Sequence, residues 1–216
     1  MKRGAIFDMD GTLIDTEKLY RKAWIETADV FGLERNPELA VSMSGSGVVQ
    51  MPSILKRFYP DVDSDKYIAE VFERVKDEAA RKIEVKPGVE EILKYFAEIK
   101  IPMVVASSSE TFVVEERIKR LSWEKYFVAL VGGDQVKNGK PAPDIFLLAA
   151  DKIKIPAEDC YVFEDSFNGV RAGAAAKSST IMVIDCVEPT EEIKNLCTAV
   201  FNNMTEAMNA IQRGEV

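Results

Sequence analysis

From Val85 onward the sequence alternates short apolar runs with amphipathic segments, and no other feature limits the possible folds as strongly. The apolar runs predict strands at 101–106, 129–131, 160–163 and 180–184. The segments around them predict helices at 87–99, 111–121, 141–152, 166–176, 190–197 and 205–211. Alternating strands and helices favour a parallel sheet with right-handed crossovers. We therefore expect an α/β fold with a doubly wound, mainly parallel, Rossmann-like sheet.

The first part of the chain breaks this alternation after a single strand. Residues 16–82 show helical periodicity without a convincing strand, and the first helix is expected over 16–31 with Thr16 as its cap. A helical block of this length is about the size of a small domain. We therefore expect an α/β core built from 1–15 and 83–216, with 16–82 inserted into it as a helical cap.

Composition and charge exclude several classes of protein. The chain has 216 residues and a net charge of −8, so it lacks an excess of basic residues for binding nucleic acid. We find no apolar segment that predicts a signal peptide or a membrane span. The three cysteines are widely spaced, which indicates reduced thiols and not disulfides or a zinc site. We expect a cytoplasmic monomer that binds neither nucleic acid nor membranes.

The chain contains no histidine, and this removes whole classes of catalytic site. Ser-His-Asp and Cys-His nucleophiles are excluded, as are metal sites with histidine ligands. Proton transfer near neutral pH would therefore depend on carboxylates or lysine. A carboxylate can perform it where its surroundings tune its pKa.

The first strand leads into two aspartates and a glycine, Asp8, Asp10 and Gly11. Glycine permits a tight turn at the carboxyl end of the strand, which is where parallel α/β sheets bind ligands. Two carboxylates beside the free amides of such a turn suit a hard cation and a phosphate. Asp8 is therefore a candidate nucleophile and Asp10 a candidate proton shuttle. An acidic strand-to-turn transition without catalytic function would have the same pattern.

Three later segments place polar residues at the ends of predicted strands or before a helix. Ser107 and Ser108 follow a strand and could bind phosphate or cap the next helix, and Ser109 is expected to be the cap. Lys140 precedes a proline that fixes the chain direction, so it could point into a site or remain solvated. Glu164 and Asp165 follow another strand and could bind a cation or cap a helix. Each segment alone is weak support for a functional site.

Acids from neighbouring strand ends would form a site with only oxygen ligands. Asp8, Asp10 and Asp165 would supply those oxygens. Such a set suits Mg²⁺, which takes few carboxylates and completes its shell with water and substrate phosphate. Crowded carboxylates repel one another, so we expect the site to be poorly formed without its cation.

Taken in order, these motifs resemble those of the haloacid dehalogenase-like phosphotransferase superfamily. The motifs are Asp-x-Asp-Gly-Thr at 8–12, a serine after the next strand, Lys-Pro at 140–141 and Glu-Asp at 164–165. The resemblance covers the whole chain. The helical insert resembles the cap of the subgroup that contains β-phosphoglucomutase and small sugar-phosphate phosphatases.

The resemblance implies a role for each matching residue. Asp8 would attack phosphorus and form an aspartyl phosphate, while Asp10 would protonate the leaving oxygen and then activate the acceptor. The implied phosphate and substrate contacts are Gly11, Ser107, Ser108 and Lys140 in the core, and Gly45 and Lys76 in the cap. The implied Mg²⁺ ligands are Asp8, the backbone carbonyl of Asp10, Asp165, and Glu164 either directly or in support.

The cap departs from the pattern of the mutases. Similar mutases carry a histidine where this chain has Tyr20, and an arginine in the loop that corresponds to 46–48. A mutase must hold a second phosphate, and the missing arginine would weaken that grip. We therefore expect a Mg²⁺-dependent phosphatase that hydrolyses a small phosphate monoester, a sugar phosphate, through an aspartyl phosphate.

Two other functions remain open from the sequence. The chain could be a β-phosphoglucomutase, or a non-catalytic regulator that binds a sugar phosphate. The dehalogenase branch of the superfamily generally lacks the second aspartate, because halide departure needs no proton donor. Asp10 therefore favours phosphoryl transfer over dehalogenation.

Overall fold

The structure, a computed structural model, describes residues 1–43, 50–185 and 187–216. It divides into a core unit, Met1–Ile14 with Val85–Val216, and a helical unit, Asp15–Glu84. These boundaries lie one or two residues from those that the sequence predicts. In the core unit, the backbone N–H of Lys86 donates to the Leu13 carbonyl at 3.1 Å, which ties the two crossing segments together.

The core unit is built on a parallel sheet. Its strands are β1 (Gly4–Phe7), β2 (Met103–Ala106), β3 (Phe127–Val131), β4 (Cys160–Glu164), β5 (Ser179–Val183) and β6 (Ala199–Phe201). Within the described residues these six strands run parallel in the order β3-β2-β1-β4-β5-β6. The expected doubly wound α/β fold is therefore confirmed.

Helices cover the sheet and form most of the helical unit. In chain order they are α1 (Thr16–Glu26), α2 (Pro37–Met43), α3 (Met51–Phe58), α4 (Ser64–Arg81), α5 (Val89–Glu98), α6 (Thr111–Arg120), α7 (Asp144–Lys152), α8 (Phe167–Ala175), α9 (Glu191–Leu196) and α10 (Met204–Gln212). None of the helices in the described ranges is long and apolar enough to cross a membrane.

Two helix starts differ from the sequence-based expectation. The carboxylate of Asp15, and not the hydroxyl of Thr16, caps α1 by accepting a backbone N–H at 3.2 Å. Helix α7 begins at Asp144, three residues later than expected. The residue before Pro143 is disfavoured from helical conformation, so the helix starts only after this proline.

The edge strand β6 was not predicted from the sequence. It contains only Ala199–Phe201, and all three residues are half-buried at the edge of the sheet. A strand this short has no periodicity that sequence analysis could detect. In the helical unit, α1 likewise stops at Glu26 and continues as a 3₁₀ segment, Thr27–Phe31, where one longer helix was expected.

The central strands are apolar because helices cover both faces of the sheet. Every residue of β1 and β4 is buried. The ring of Phe7 stacks on that of Phe163, with centroids 4.6 Å apart and planes 8° from parallel. These two rings join neighbouring strands directly beneath the carboxyl edge of the sheet.

The strand register brings the ends of β1, β2 and β4 side by side. Phe7 lies opposite Val105 on one side and Phe163 on the other. Strands β2 and β3 lie on one side of β1, and β4, β5 and β6 lie on the other. The direction of the strand order therefore changes at β1, which is the topological switch of the sheet. Ligands of doubly wound proteins bind at such a switch, outside the carboxyl ends of the strands.

The helical unit has its own core around Tyr67. This residue is fully buried, and its hydroxyl donates to the Trp24 carbonyl at 2.8 Å. The Trp24 and Tyr67 rings stack with planes 12° apart. Trp24 and Trp123 are 2% and 4% exposed, so both tryptophans lie in the protein interior.

Replacing Phe7 with alanine tests how far the fold depends on the ring stack. Phe7→Ala should lower the free energy of unfolding by about 3–5 kcal/mol, because a buried ring is lost and its cavity cannot fully close. Phe112→Ala is the control, since Phe112 is 66% exposed, and it should change the value by less than about 0.5 kcal/mol. Urea denaturation of both variants measures the difference, and equal losses would contradict the role of the stack.

Candidate active site

A lysine ammonium joins two buried carboxylates at the carboxyl edge of the sheet. Lys140 Nζ lies 2.5 Å from Asp8 Oδ1 and 2.6 Å from Glu164 Oε1. Its third contact is the Ala106 carbonyl at 3.4 Å, and its side chain is 5% exposed. Asp8 and Glu164 come from adjacent strand ends, and Lys140 comes from the loop before α7. The structure therefore brings together three residues that are far apart in sequence.

The second oxygen of Glu164 organises the turn that follows β4. Glu164 Oε2 accepts the backbone N–H groups of Asp165 and Ser166 at 2.9 and 2.8 Å, and the Ser166 hydroxyl at 2.9 Å. The Ser166 side chain in turn caps α8 by accepting from Gly169 N at 3.0 Å. Both oxygens of Glu164 thus have protein partners, one a cation and the other a set of neutral donors. This arrangement fixes where Asp165 leaves the strand.

Asp165 is held against the turn that follows β1. Thr12 Oγ1 donates to Asp165 Oδ1 at 2.9 Å. Gly11, between the two predicted aspartates and this threonine, has φ +86°. A Cβ atom at this position would lie 2.2 Å from Asp165 Oδ2, so a side chain is excluded. Only glycine gives the turn both its left-handed conformation and its contact with Asp165.

Asp10 is contacted on both of its carboxylate oxygens. Oδ1 accepts from the Arg117 guanidinium. Oδ2 accepts from Ser109 Oγ at 2.9 Å and more distantly from Ser107 Oγ at 3.4 Å. The sequence predicts that Ser109 caps α6, and this is wrong, because Glu110 occupies the cap position and the Ser109 hydroxyl points to Asp10.

Burial and crowding shift the pKa values of the acids. Burial raises the pKa of Asp8 to about 8, although the Lys140 ammonium opposes the rise. Burial also raises the pKa of Asp165 well above its usual range, and the charges of Glu164 and Asp8 add to that rise. Burial lowers the pKa of Lys140, but Asp8 and Glu164 outweigh this effect, so the net pKa is raised and the ammonium stays charged.

The remaining predicted site residues differ in their burial and in the groups that they contact. Ser107 is 1% exposed beside Asp10, whereas Ser108 is exposed. Lys76 lies on α4 of the helical unit, where its Nζ is 3.4 Å from Glu73 Oε2. Gly45 lies outside the described residues, so its predicted contact remains a prediction. Within the described ranges, no group of three or more Asp, Glu, Cys or His side chains could together hold a metal ion.

Sequence analysis did not identify Thr12, Ser109 or Arg117 as site residues. Thr12 was part of the first motif, but its partner Asp165 became apparent only from the strand order. Arg117 lies within the polar face of a surface helix, where an arginine carries no signal of its own. Helix α6 begins shortly after Ser107, and this could have suggested that some of its side chains lie near the carboxyl end of β2.

Comparisons of sequence and of structure with known proteins indicate the same family. A sequence profile described as haloacid dehalogenase-like hydrolase matches residues 2–177. The fructose-1-phosphate phosphatase YqaB of Escherichia coli is 34% identical over 181 residues, which cover 83% of this chain and 95% of that protein. A phosphorylated carbohydrates phosphatase of Thermotoga maritima is 37% identical over 172 residues, covering 79% of this chain and 80% of that protein.

Solved structures agree with this assignment. The crystal structure of a Thermotoga maritima protein, provisionally named a β-phosphoglucomutase, matches with a TM-score of 0.83 at 30% sequence identity. The match covers 99% of each chain. Fold and sequence thus point to one family.

Replacing Gly169 with alanine tests whether the site constrains α8. Alanine normally stabilises a helix interior by about 0.5–1 kcal/mol over glycine. Here a Cβ would lie 1.8 Å from the Glu164 carboxyl group. Gly169→Ala should therefore lower the free energy of unfolding by about 1–3 kcal/mol, because Glu164 must move.

Gly139→Ala is the matched control, since a Cβ there would meet nothing within 4 Å. It should change stability by less than about 0.5 kcal/mol. Chemical denaturation of both variants gives the comparison. A stabilised Gly169→Ala protein would show that Glu164 is not held as described.

Proposed function

This chain belongs to the haloacid dehalogenase-like hydrolases and is a phosphatase of that family, and on this premise we propose that it hydrolyses a sugar phosphate through an aspartyl phosphate on Asp8. The contact that carries the proposal is the 2.5 Å pair between Lys140 Nζ and Asp8 Oδ1. It holds one oxygen of Asp8 beside a fixed cation in a buried setting. The other oxygen can then face the incoming phosphoryl group.

The first chemical step transfers the phosphoryl group to the protein. An oxygen of Asp8 forms a bond to phosphorus while the bond from phosphorus to the sugar oxygen breaks. Asp10 gives a proton to that sugar oxygen, so that a neutral alcohol leaves. Lys140 offsets negative charge that develops on the phosphoryl oxygens, and Ser107 is suited to donate a hydrogen bond to them.

The second step regenerates the enzyme. The Asp10 carboxylate accepts a proton from water as the water oxygen bonds to phosphorus and the bond to Asp8 breaks. Inorganic phosphate is released, and Asp10 is again protonated for the next substrate. Both steps use side chains from the core unit.

The donor set also supports Mg²⁺ as cofactor. Asp8 and Asp165 have raised pKa values because they are buried near like charges, and the hydroxyl of Thr12 that holds Asp165 brings no charge. A divalent cation would relieve this repulsion.

Asp8, Asp165 and the Asp10 carbonyl would hold the ion, and water and substrate phosphate would complete its shell. Glu164, whose oxygens are already hydrogen-bonded, fits a supporting role better than direct ligation. Bound Mg²⁺ would supply electrophilic polarisation of the phosphoryl group.

Relatives and the helical unit support the proposed substrate class. Two curated relatives are phosphatases of fructose 1-phosphate and of phosphorylated carbohydrates. We propose a sugar phosphate here as well, with the helical unit acting as the cap that selects it and Lys76 and Gly45 as candidate contacts. We further propose that the protein acts as a monomer in the cytoplasm.

A β-phosphoglucomutase remains the second candidate, because one similar structure is provisionally named so. Tyr20, at the position of the mutase histidine, packs edge-on against Phe72 with ring centroids 6.1 Å apart. This chain therefore lacks the imidazole that similar mutases carry at this position. Conversion of β-glucose 1-phosphate to the 6-phosphate without phosphate release would favour the mutase over the phosphatase.

Replacing Asp8 with asparagine tests the proposed nucleophile. Asp8→Asn should lower kcat for phosphate release from fructose 1-phosphate by about 10³-fold or more, since the amide cannot form the phosphorylated intermediate. The fold should survive, because Lys140 keeps its pair with Glu164. Asp159→Asn, at a 42% exposed side chain, is the control and should leave kcat unchanged. Undiminished turnover in Asp8→Asn, or binding without turnover in the wild type, would reject the proposal.

The raised pKa values predict how Mg²⁺ binding depends on pH. Between pH 3.8 and about 8, the Asp8 carboxyl group keeps its proton in the folded protein, whereas it loses that proton in the unfolded chain. The metal-free protein therefore loses the stabilisation from this group as the pH rises through that range. Because Mg²⁺ must displace these protons, its binding strengthens as the pH rises.

Thermal unfolding with and without Mg²⁺ checks this expectation. Near saturation the ion should raise Tm by roughly 5–10 °C at about pH 8 and by much less at about pH 5. Asp165→Asn should reduce the shift, whereas Asp159→Asn should not. An equal shift at both pH values, or none at either, would contradict the proposed metal site.

A further inference from the structure

Arg117 lies outside the four motifs, yet its guanidinium reaches the site. It is on the last turn of α6, and its NH1 donates to Asp10 Oδ1. The Arg117 side chain is 16% exposed, which is unusual for a charge on a surface helix. On the same helix, Arg120 NH1 instead pairs with Glu116 Oε1 at 3.3 Å, and the Glu116 side chain is 54% exposed. The helix thus has one arginine directed to the site and another directed to a surface acid.

The contacts of Asp10 differ between its two oxygens. Oδ1 has the charged partner Arg117, and Oδ2 has the neutral hydroxyls of Ser109 and Ser107. A carboxylate held on one side by a guanidinium and on the other by hydroxyls cannot rotate freely. Oδ2 is the oxygen on the side of Ser107, which is the proposed phosphate contact. Proton transfer in a bound complex depends on such fixed geometry.

We propose that Arg117 is a positioning residue that orients Asp10 so that Oδ2 carries the transferred proton. The inference rests on the proposed function. In the first step Asp8 bonds to phosphorus, the bond to the leaving oxygen breaks, and the proton on Oδ2 moves to that oxygen. The resulting carboxylate is stabilised by Arg117 through Oδ1. In the second step water bonds to phosphorus, the bond to Asp8 breaks, and the water proton moves to Oδ2.

This role predicts an effect that depends on the leaving group. A sugar alkoxide needs a proton to leave, whereas p-nitrophenolate leaves without one. Arg117→Gln removes the charge and leaves a shorter polar side chain. It should lower kcat/KM for fructose 1-phosphate by about 10²-fold, as expected for a misplaced proton donor. For p-nitrophenyl phosphate the loss should be much smaller, and KM for either ester should change little.

Two further variants separate positioning from a structural role. Arg117→Lys keeps the positive charge and should recover part of the activity on fructose 1-phosphate. Arg120→Gln removes an arginine of the same helix that pairs with Glu116, and it should leave both esters unaffected. Circular dichroism melting confirms that each variant is folded.

The outcomes distinguish this proposal from the proposed function. Equal losses on the two esters would overturn the positioning role, because a structural defect lowers both. In an Asp10→Asn background, adding Arg117→Gln should cost nothing further on p-nitrophenyl phosphate. A further loss there would show that Arg117 acts on the substrate itself, which also overturns the proposal. Failure of the proposed function would appear separately, as undiminished turnover in Asp8→Asn.

Discussion

The buried ammonium of Lys140 is the contact on which the rest of the site depends. Its single positive charge lies between two buried carboxyl groups, Asp8 and Glu164, and offsets the repulsion between them. Removing one partner of a buried pair generally costs about 3–5 kcal/mol, because the remaining charge is left uncompensated. The Phe146 ring, 5.0 Å from Nζ, helps to keep this contact out of water. The fold supplies the geometry by ending β1 and β4 side by side.

Each acid near this contact has a different kind of partner, and its proposed task follows from that partner. Asp8 has an ammonium, which opposes the protonation that burial favours. Asp165 has the hydroxyl of Thr12, which leaves its charge for a cation. Asp10 has a guanidinium and hydroxyls, which fix its direction. Carboxylates of one chemical type thus obtain separate roles from their surroundings.

The sequence predicted the parts of the fold and site that depend on local pattern. Apolar strands ending in acids located Asp8 and Asp165, because the carboxyl ends of parallel strands are where side chains converge. It missed β6, which is too short to show a period, and the Asp15 cap, because a neighbouring threonine offered an equal alternative. The sequence could not predict the contact between Arg117 and Asp10, because that contact depends on how α6 packs.

The central claim is that the phosphoryl group is carried by Asp8. Acyl phosphates are reduced by borohydride, so rapid quenching of the enzyme with substrate and borohydride should convert the phosphorylated aspartate to homoserine. Mass spectrometry of the peptide that contains the first strand then identifies the modified position. The account predicts homoserine at Asp8 and unmodified aspartate at Asp10. Homoserine at another residue, or none during steady phosphate release, would contradict it.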